Sequence, residues 1–144
     1  MNKLETALSR FNNGFQCSQA VLAAFAPQLG MDEETAIKVA GVFGGGVANT
    51  GGTCGAVSGA FMVIGLEYTD TDIKNYKAQK KANAVTREFI KNFITLNGST
   101  ICKELINCDI STSEGFKYAI EKNLFTNVCP KFVKDSIEIL EHSL

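Results

Sequence analysis

The sequence holds a single histidine, His142, two residues from its C-terminal end. A Cys–His or Ser–His catalytic pair would have to take its base from a fraying tail, which sets hydrolase chemistry of that kind aside. No C-x-x-C occurs, so neither a thioredoxin-type dithiol nor a zinc knuckle is indicated, and without C-x-x-C-H no covalent haem is expected. Basic surplus is absent too: 14 Lys and Arg stand against 15 Asp and Glu, scattered along the chain. A nucleic-acid partner would need a basic face, and none is predicted. The longest apolar run, Ala56 to Leu66, falls far short of the roughly 20 residues that span a bilayer. The first residues, MNKLETALSRFNNGF, lack the apolar core of a secretory signal. The expectation is a cytoplasmic protein without membrane insertion, where structural disulfides are rare and cysteines carry information.

Strand signals are nearly missing as well, while helical periodicity recurs with start and stop signals. At 144 residues the chain is expected to be one domain, residues 1–144, burying roughly 70% of its unfolded surface. Leu4, Leu8 and Phe11 mark a first helix ending at Asn12-Asn13-Gly14. A second is expected to begin near Asn13, with Gln16 as its capping-box partner, and to stop around Gly30. Asp32-Glu33-Glu34 reads as an acidic first turn, favourable beside a helix N-terminal dipole. The longest helix is expected from Asp70 or Thr71 to about Leu96, its inner stripe Val85, Phe89 and Phe93 and its lysine-rich side a solvated face. Ser99 would cap a short helix that has Cys102 in its first turn, Ser111-Thr112-Ser113-Glu114 opens another as a capping box, and Cys129-Pro130 starts the last, since proline suits the first helical position. The fold class is all-α: a single compact domain of seven or eight helices.

The stretch from Phe43 to Leu66, FGGGVANTGGTCGAVSGAFMVIGL, is the organising element. Gly44, Gly45, Gly46, Gly51 and Gly52 deliver Cys54 to the start of a central helix, Thr53 to Leu66, whose composition predicts burial on most sides. Gly55 and Gly59, four apart, predict a close helix contact. The stretch lacks the Gly-Lys-Ser/Thr ending of a P-loop and a preceding strand. Its backbone N–H groups, with Gly52, Thr53 and Gly55 as candidates, would suit an anion or a cofactor.

Cys17, Cys54, Cys102 and Cys129 all fall at or near predicted helix starts, where unpaired N–H groups and the helix dipole favour a thiolate. Cys108 differs, sitting in a loop beside Asp109. If the four starts converge, two outcomes are chemically sensible. One is a redox disulfide between distant cysteines; the other is a four-thiolate site for an iron–sulfur cluster or, less favoured, zinc. The alternative from another class is a helical adaptor or small-ligand or anion-binding protein, working with a transporter, whose cysteines only fill the core.

The residues also resemble a known family. Gly14-Phe15-Gln16-Cys17-Ser18-Gln19-Ala20-Val21, Gly51-Gly52-Thr53-Cys54-Gly55-Ala56-Val57-Ser58-Gly59-Ala60, Cys102-Lys103-Glu104-Leu105 before Asp109-Ile110-Ser111, and Cys129-Pro130-Lys131-Phe132-Val133 carry the likeness. It is to the small bacterial redox-active proteins named for a Cys…Cys-Gly-Ala-x-x-Gly…Cys…Cys arrangement. The resemblance implies that Cys17, Cys54, Cys102 and Cys129 are the hallmark cysteines and Cys108 is incidental. The module is also similar to part of the split-Soret cytochromes, which implies an iron–sulfur site, of 2Fe–2S type, without haem. Oxidoreductase or electron-transfer activity with a redox partner protein follows as an expectation; a homodimer is expected from the general habit of small proteins.

Overall fold

The computed structural model describes residues 1–144 as helices joined by tight turns. They are α1 (Lys3–Asn12), α2 (Cys17–Phe25), α3 (Glu33–Val39), α4 (Gly55–Tyr68), α5 (Tyr76–Asn97), α6 (Cys102–Leu105), α7 (Ser113–Glu121), α8 (Leu124–Asn127) and α9 (Cys129–Ser143), with a 3₁₀ turn at Ala26–Leu29. The fold is all-α, as expected, with α6 and α8 reduced to single turns. No helix is long and apolar enough to cross a membrane.

Capping explains most boundaries. The Asn2 side chain accepts from Glu5 N at 2.8 Å to open α1, and Asp32 does the same for Thr35 N at 2.7 Å to open α3. The expected cap of α2 at Asn13 is wrong by three positions. Gln16 is the cap, its N–H donating 2.8 Å to Gln19 Oε1, so that Cys17 is the first helical residue. The longest helix also starts later than expected. Asp70 and Asp72 bind the N–H groups of Asp72 and Lys74 in successive local turns, and Asn75 is the residue that caps. Short polar side chains compete with the helix for backbone donors, which is why three candidate caps in a row give a turn before a helix.

The core lies between α2, α4 and α9, closed on one side by α5. From Cys54 through Ala60 every residue of the α4 entry is buried. Phe25, Phe89, Phe93, Leu22, Ile64, Ile137 and Leu140 are its largest fully buried side chains. An aromatic row, Phe61, Phe89, Phe93 and Phe132, with successive ring centroids 6.2, 5.9 and 6.3 Å apart, ties α4 through α5 to α9. Ser18, fully buried on α2, donates 2.8 Å to Ala40 O at the end of α3.

The closest approach is α2 on α4. A Cβ on Gly55 would stand 3.1 Å from Ser18 N and 3.2 Å from Cys17 Cβ, and one on Gly59 would stand 2.9 Å from Ser18 O. The two glycines therefore act as expected, as the surface on which another backbone packs. That contact sets the first turn of α2, with Cys17, beside the first turn of α4, with Cys54. Gly65, on the same helix, has nothing within 4 Å of a built Cβ. Gly65→Ala should therefore stabilise the fold by about 0.5–1 kcal/mol through helix propensity. Gly59→Ala should instead destabilise by about 1–3 kcal/mol, because the added methyl overpacks against backbone that has no room to yield. Urea unfolding of the two variants checks the opposite signs.

Candidate thiol site

All four cysteines that the sequence singled out stand at helix starts. Cys54 is the cap of α4, and Cys17, Cys102 and Cys129 are the first residues of α2, α6 and α9. Pro130 follows Cys129 in the first turn, where its missing N–H costs nothing. For Cys102 the local signal was misread: Ser99 does not cap α6. Its Oγ accepts from Ile101 N at 2.9 Å and donates to Glu104 Oε1 at 2.6 Å, bending the chain so that Ile101 is the cap.

Two of the four are fastened to each other by backbone. Thr53 and Ile101 form an isolated antiparallel bridge, flanked by Cys54 N donating to Thr100 O at 2.8 Å and Cys102 N donating to Gly52 O at 2.6 Å. Gly52 and Thr53, expected to cradle a cofactor, hold this bridge and are not on the cavity lining; Gly55 is on it. Sheet-type pairing was not anticipated in so helical a chain.

The glycine-rich loop ahead of the bridge is a left-handed turn. Gly45, Gly46, Val47, Ala48 and Asn49 have φ of 63, 70, 70, 51 and 61°. For the three non-glycine residues this costs roughly 1–2 kcal/mol each, and a β-branched valine is a true outlier there. The turn persists because many of its backbone groups are engaged: Gly51 N binds Gly45 O at 3.0 Å, Gly52 N binds Gly46 O at 2.8 Å, and Thr50 Oγ1 caps Gly46 O and Val47 O, each at 2.8 Å. A side chain on Gly46 would collide with Gly52 N and Cys102 Cβ. The loop thus presses directly on one of the cysteines.

The four thiols converge on one cavity of about 380 Å³, lined by Cys17, Cys54, Cys102 and Cys129 together with Gly45, Asn49 and a set of phenylalanines. Cys54, Cys102 and Cys129 are 4, 7 and 5% exposed, so the cavity is their route to any reactant. Cys108 lies off the lining, with Sγ 3.2 Å from Gly115 O. No Asp, Glu, His, Lys or Arg lines the space. The sequence reading missed the aromatic part of the site, Phe11, Phe15, Phe116, Phe125 and Phe132. Phe116 and Phe125 meet at 5.8 Å across the turn between α7 and α8, and α8 has no start signal of its own.

The electrostatics correct one expectation. Helix starts were expected to lower all four thiol pKa values, and only Cys129 is lowered, by the neighbouring Cys17 side chain while burial works against it. Cys17 is raised well above the usual thiol value, first by the Cys129 side chain, then by burial and by the neighbouring cysteine sulfurs. Cys54 is pushed up to about 11 by burial, although the N–H groups of Ala56 and Val57 pull the other way. Cys102 is pushed up to about 12, again by burial first. Desolvation of a thiolate outweighs a helix dipole, whose effect is a fraction of a kcal/mol to about 2 kcal/mol. Burial thus holds Cys54 and Cys102 as thiols at neutral pH, while Cys17 and Cys129 shift each other in opposite directions. No three Cys, His, Asp or Glu side chains stand close enough together to hold a single metal ion.

A family model described as "Putative redox-active protein (C_GCAxxG_C_C)" matches residues 15–143. No curated protein and no solved structure matches the chain. The matched span contains all four cysteines of the cavity; where the family label reads Gly-Cys-Ala-x-x-Gly, this chain has Cys54-Gly55-Ala56-Val57-Ser58-Gly59.

The reactivities are ordered by these environments. In the folded, reduced protein Cys129 should be alkylated by iodoacetamide near neutral pH about tenfold or more faster than Cys54 or Cys102, read by mass spectrometry of quenched samples. Raised folded-state values at Cys54 and Cys102 favour the folded state fully below pH 9 and lose that contribution as pH climbs toward 11 and 12. Cys54→Ala should accordingly flatten the fall of stability with pH above 9, followed by urea midpoints.

Proposed function

The chain belongs to the four-cysteine redox family labelled C_GCAxxG_C_C, and from that premise we propose that it is a dithiol–disulfide electron carrier whose reactive pair is Cys17 and Cys129. The observation that carries the reading is the convergence of these two thiols with Cys54 and Cys102 on the wall of one cavity, where the acidity of Cys17 and of Cys129 is set first by the other's side chain. Oxidation joins the two Sγ atoms, releases the two thiol protons and passes two electrons to an acceptor that takes both. A relay to Cys54 or Cys102 is then thiol–disulfide exchange, which moves the S–S bond without net electron transfer.

A second reading rests on the same convergence. Four soft thiol donors and no carboxylate or imidazole on the lining suit an iron–sulfur cluster, which Cys17, Cys54, Cys102 and Cys129 would hold and which would supply one-electron transfer. The lack of a three-ligand cluster around one point speaks against zinc as the preferred occupant.

Protein purified without oxygen and analysed for iron, zinc and visible absorption separates the two. The dithiol reading expects a colourless sample whose free-thiol count falls by two on mild oxidation, with a Cys17–Cys129 cross-link found by mass mapping. Cys17→Ser and Cys129→Ser should each abolish that loss while leaving the fold intact by circular dichroism. A brown sample with near-stoichiometric iron, bleached by any of the four cysteine variants, would replace it with the cluster reading. Five unreactive thiols and no metal would return the protein to the adaptor class.

A further inference from the structure

The cavity has a chemistry beyond its sulfurs. Apart from the thiols, its polar side chains are all neutral, Asn12, Gln16, Asn49 and Thr126, and its apolar wall is aromatic. Phe132 and Phe11 belong to the walls, while Phe15, Phe116 and Ile120 stand at 38, 37 and 54% exposure and form the apolar side of the entrance. A reactant that must pass between them to reach sulfurs at most 7% exposed leaves water behind. A charged reactant such as glutathione disulfide would lose its hydration with no opposite charge on the lining to replace it. A disulfide on a folded partner faces the same burial and brings its backbone with it. A flat, uncharged ring meets neither obstacle, and aromatic walls favour it by stacking.

At about 380 Å³ the chamber lies at the small end of ligand sites, which run from roughly 300 to 1,000 Å³. It has room for one or two rings and not for a dinucleotide. The amides of Asn12, Gln16 and Asn49 are the kind of neutral donors that bind carbonyl oxygens without demanding a charge.

We propose that this chamber takes a neutral quinone and that Cys17 and Cys129 reduce it. The inference rests on the dithiol reading above and names its electron acceptor. The Cys17–Cys129 Sγ–Sγ bond forms as the two sulfurs give up two electrons. The quinone carbonyl oxygens receive those electrons and two protons, the equivalent of the two that leave the thiols. Dithiol and quinone become disulfide and hydroquinone, with atoms and charge in balance.

Duroquinone is the probe, because its fully methylated ring cannot be trapped by thiol addition. Reduced full-length protein mixed with it under nitrogen should consume one quinone per chain and lose two thiols. Its rate, divided by the rate of dithiothreitol with the same oxidant, should exceed the corresponding ratio for glutathione disulfide by about tenfold or more. Ile120→Glu, a charge at an exposed position of the entrance, should slow the quinone reaction about fivefold or more with circular dichroism unchanged. Binding is read separately by saturation-transfer NMR of duroquinone on the Cys17→Ser/Cys129→Ser double variant, where it should persist. Equal normalised rates, or a faster glutathione reaction, would overturn the assignment. So would loss of binding in the double variant while a small neutral disulfide still oxidises the wild type; the dithiol couple would then stand alone. Binding without any oxidation of the wild type would remove the couple and the acceptor role with it.

Discussion

Two short hydrogen bonds decide where the chemistry can happen. Cys54 N to Thr100 O and Cys102 N to Gly52 O, at 2.8 and 2.6 Å, clamp the chain before α4 to the chain before α6. The segments they join are separated by the whole of α4 and α5. Cys102 starts a helix of a single turn, which could not hold a direction by itself, since isolated short helices are unstable in water. The bridge gives it one. The left-handed loop is arranged around this clamp: Gly46 passes where only a residue without a side chain fits, and Gly52 offers the carbonyl that Cys102 needs. Strain in Val47, Ala48 and Asn49 is tolerated because the turn's own hydrogen bonds and the bridge over-determine it.

The second constraint is desolvation. Placing cysteines at helix starts suggests thiolates, and in a solvent-exposed site that would follow. Here three of the four are almost sealed from water, and burial sets two of them high despite the backbone N–H groups at hand. What escapes the rule is Cys129, which is lowered by the neighbouring Cys17 side chain and not by a helix dipole.

The same burial that raises the thiols also selects what reaches them. A lining with no charged side chain and five phenylalanines is poor ground for the charged thiols of small peptides and good ground for a neutral ring. Reactivity and selectivity therefore have one physical origin, the exclusion of water from the point where four helix starts meet.

Much of the fold was legible. The apolar stripes of α1 and α5, the acidic start of α3 and the polar run that opens α7 are local signals, and local signals survive folding because they depend on neighbours within a turn. Even there the cap sits one residue on, at Thr112. Cys54 and Cys129 were legible for the same reason, marked by Gly55 and Pro130, while the caps expected ahead of Cys17 and Cys102 lie elsewhere, at Gln16 and Ile101. Boundaries slipped where several short polar side chains compete for the same backbone donors, at Asn13 against Gln16 and at Asp70 against Asn75. What tertiary structure alone decided is which of these positions meet and how far they are buried. The bridge between Thr53 and Ile101, the meeting of Cys17 with Cys129 on one cavity wall and the aromatic entrance join residues from distant parts of the chain. Desolvation, which outweighs the helix dipole at Cys54 and Cys102, depends on everything packed around a group and is written in no local pattern.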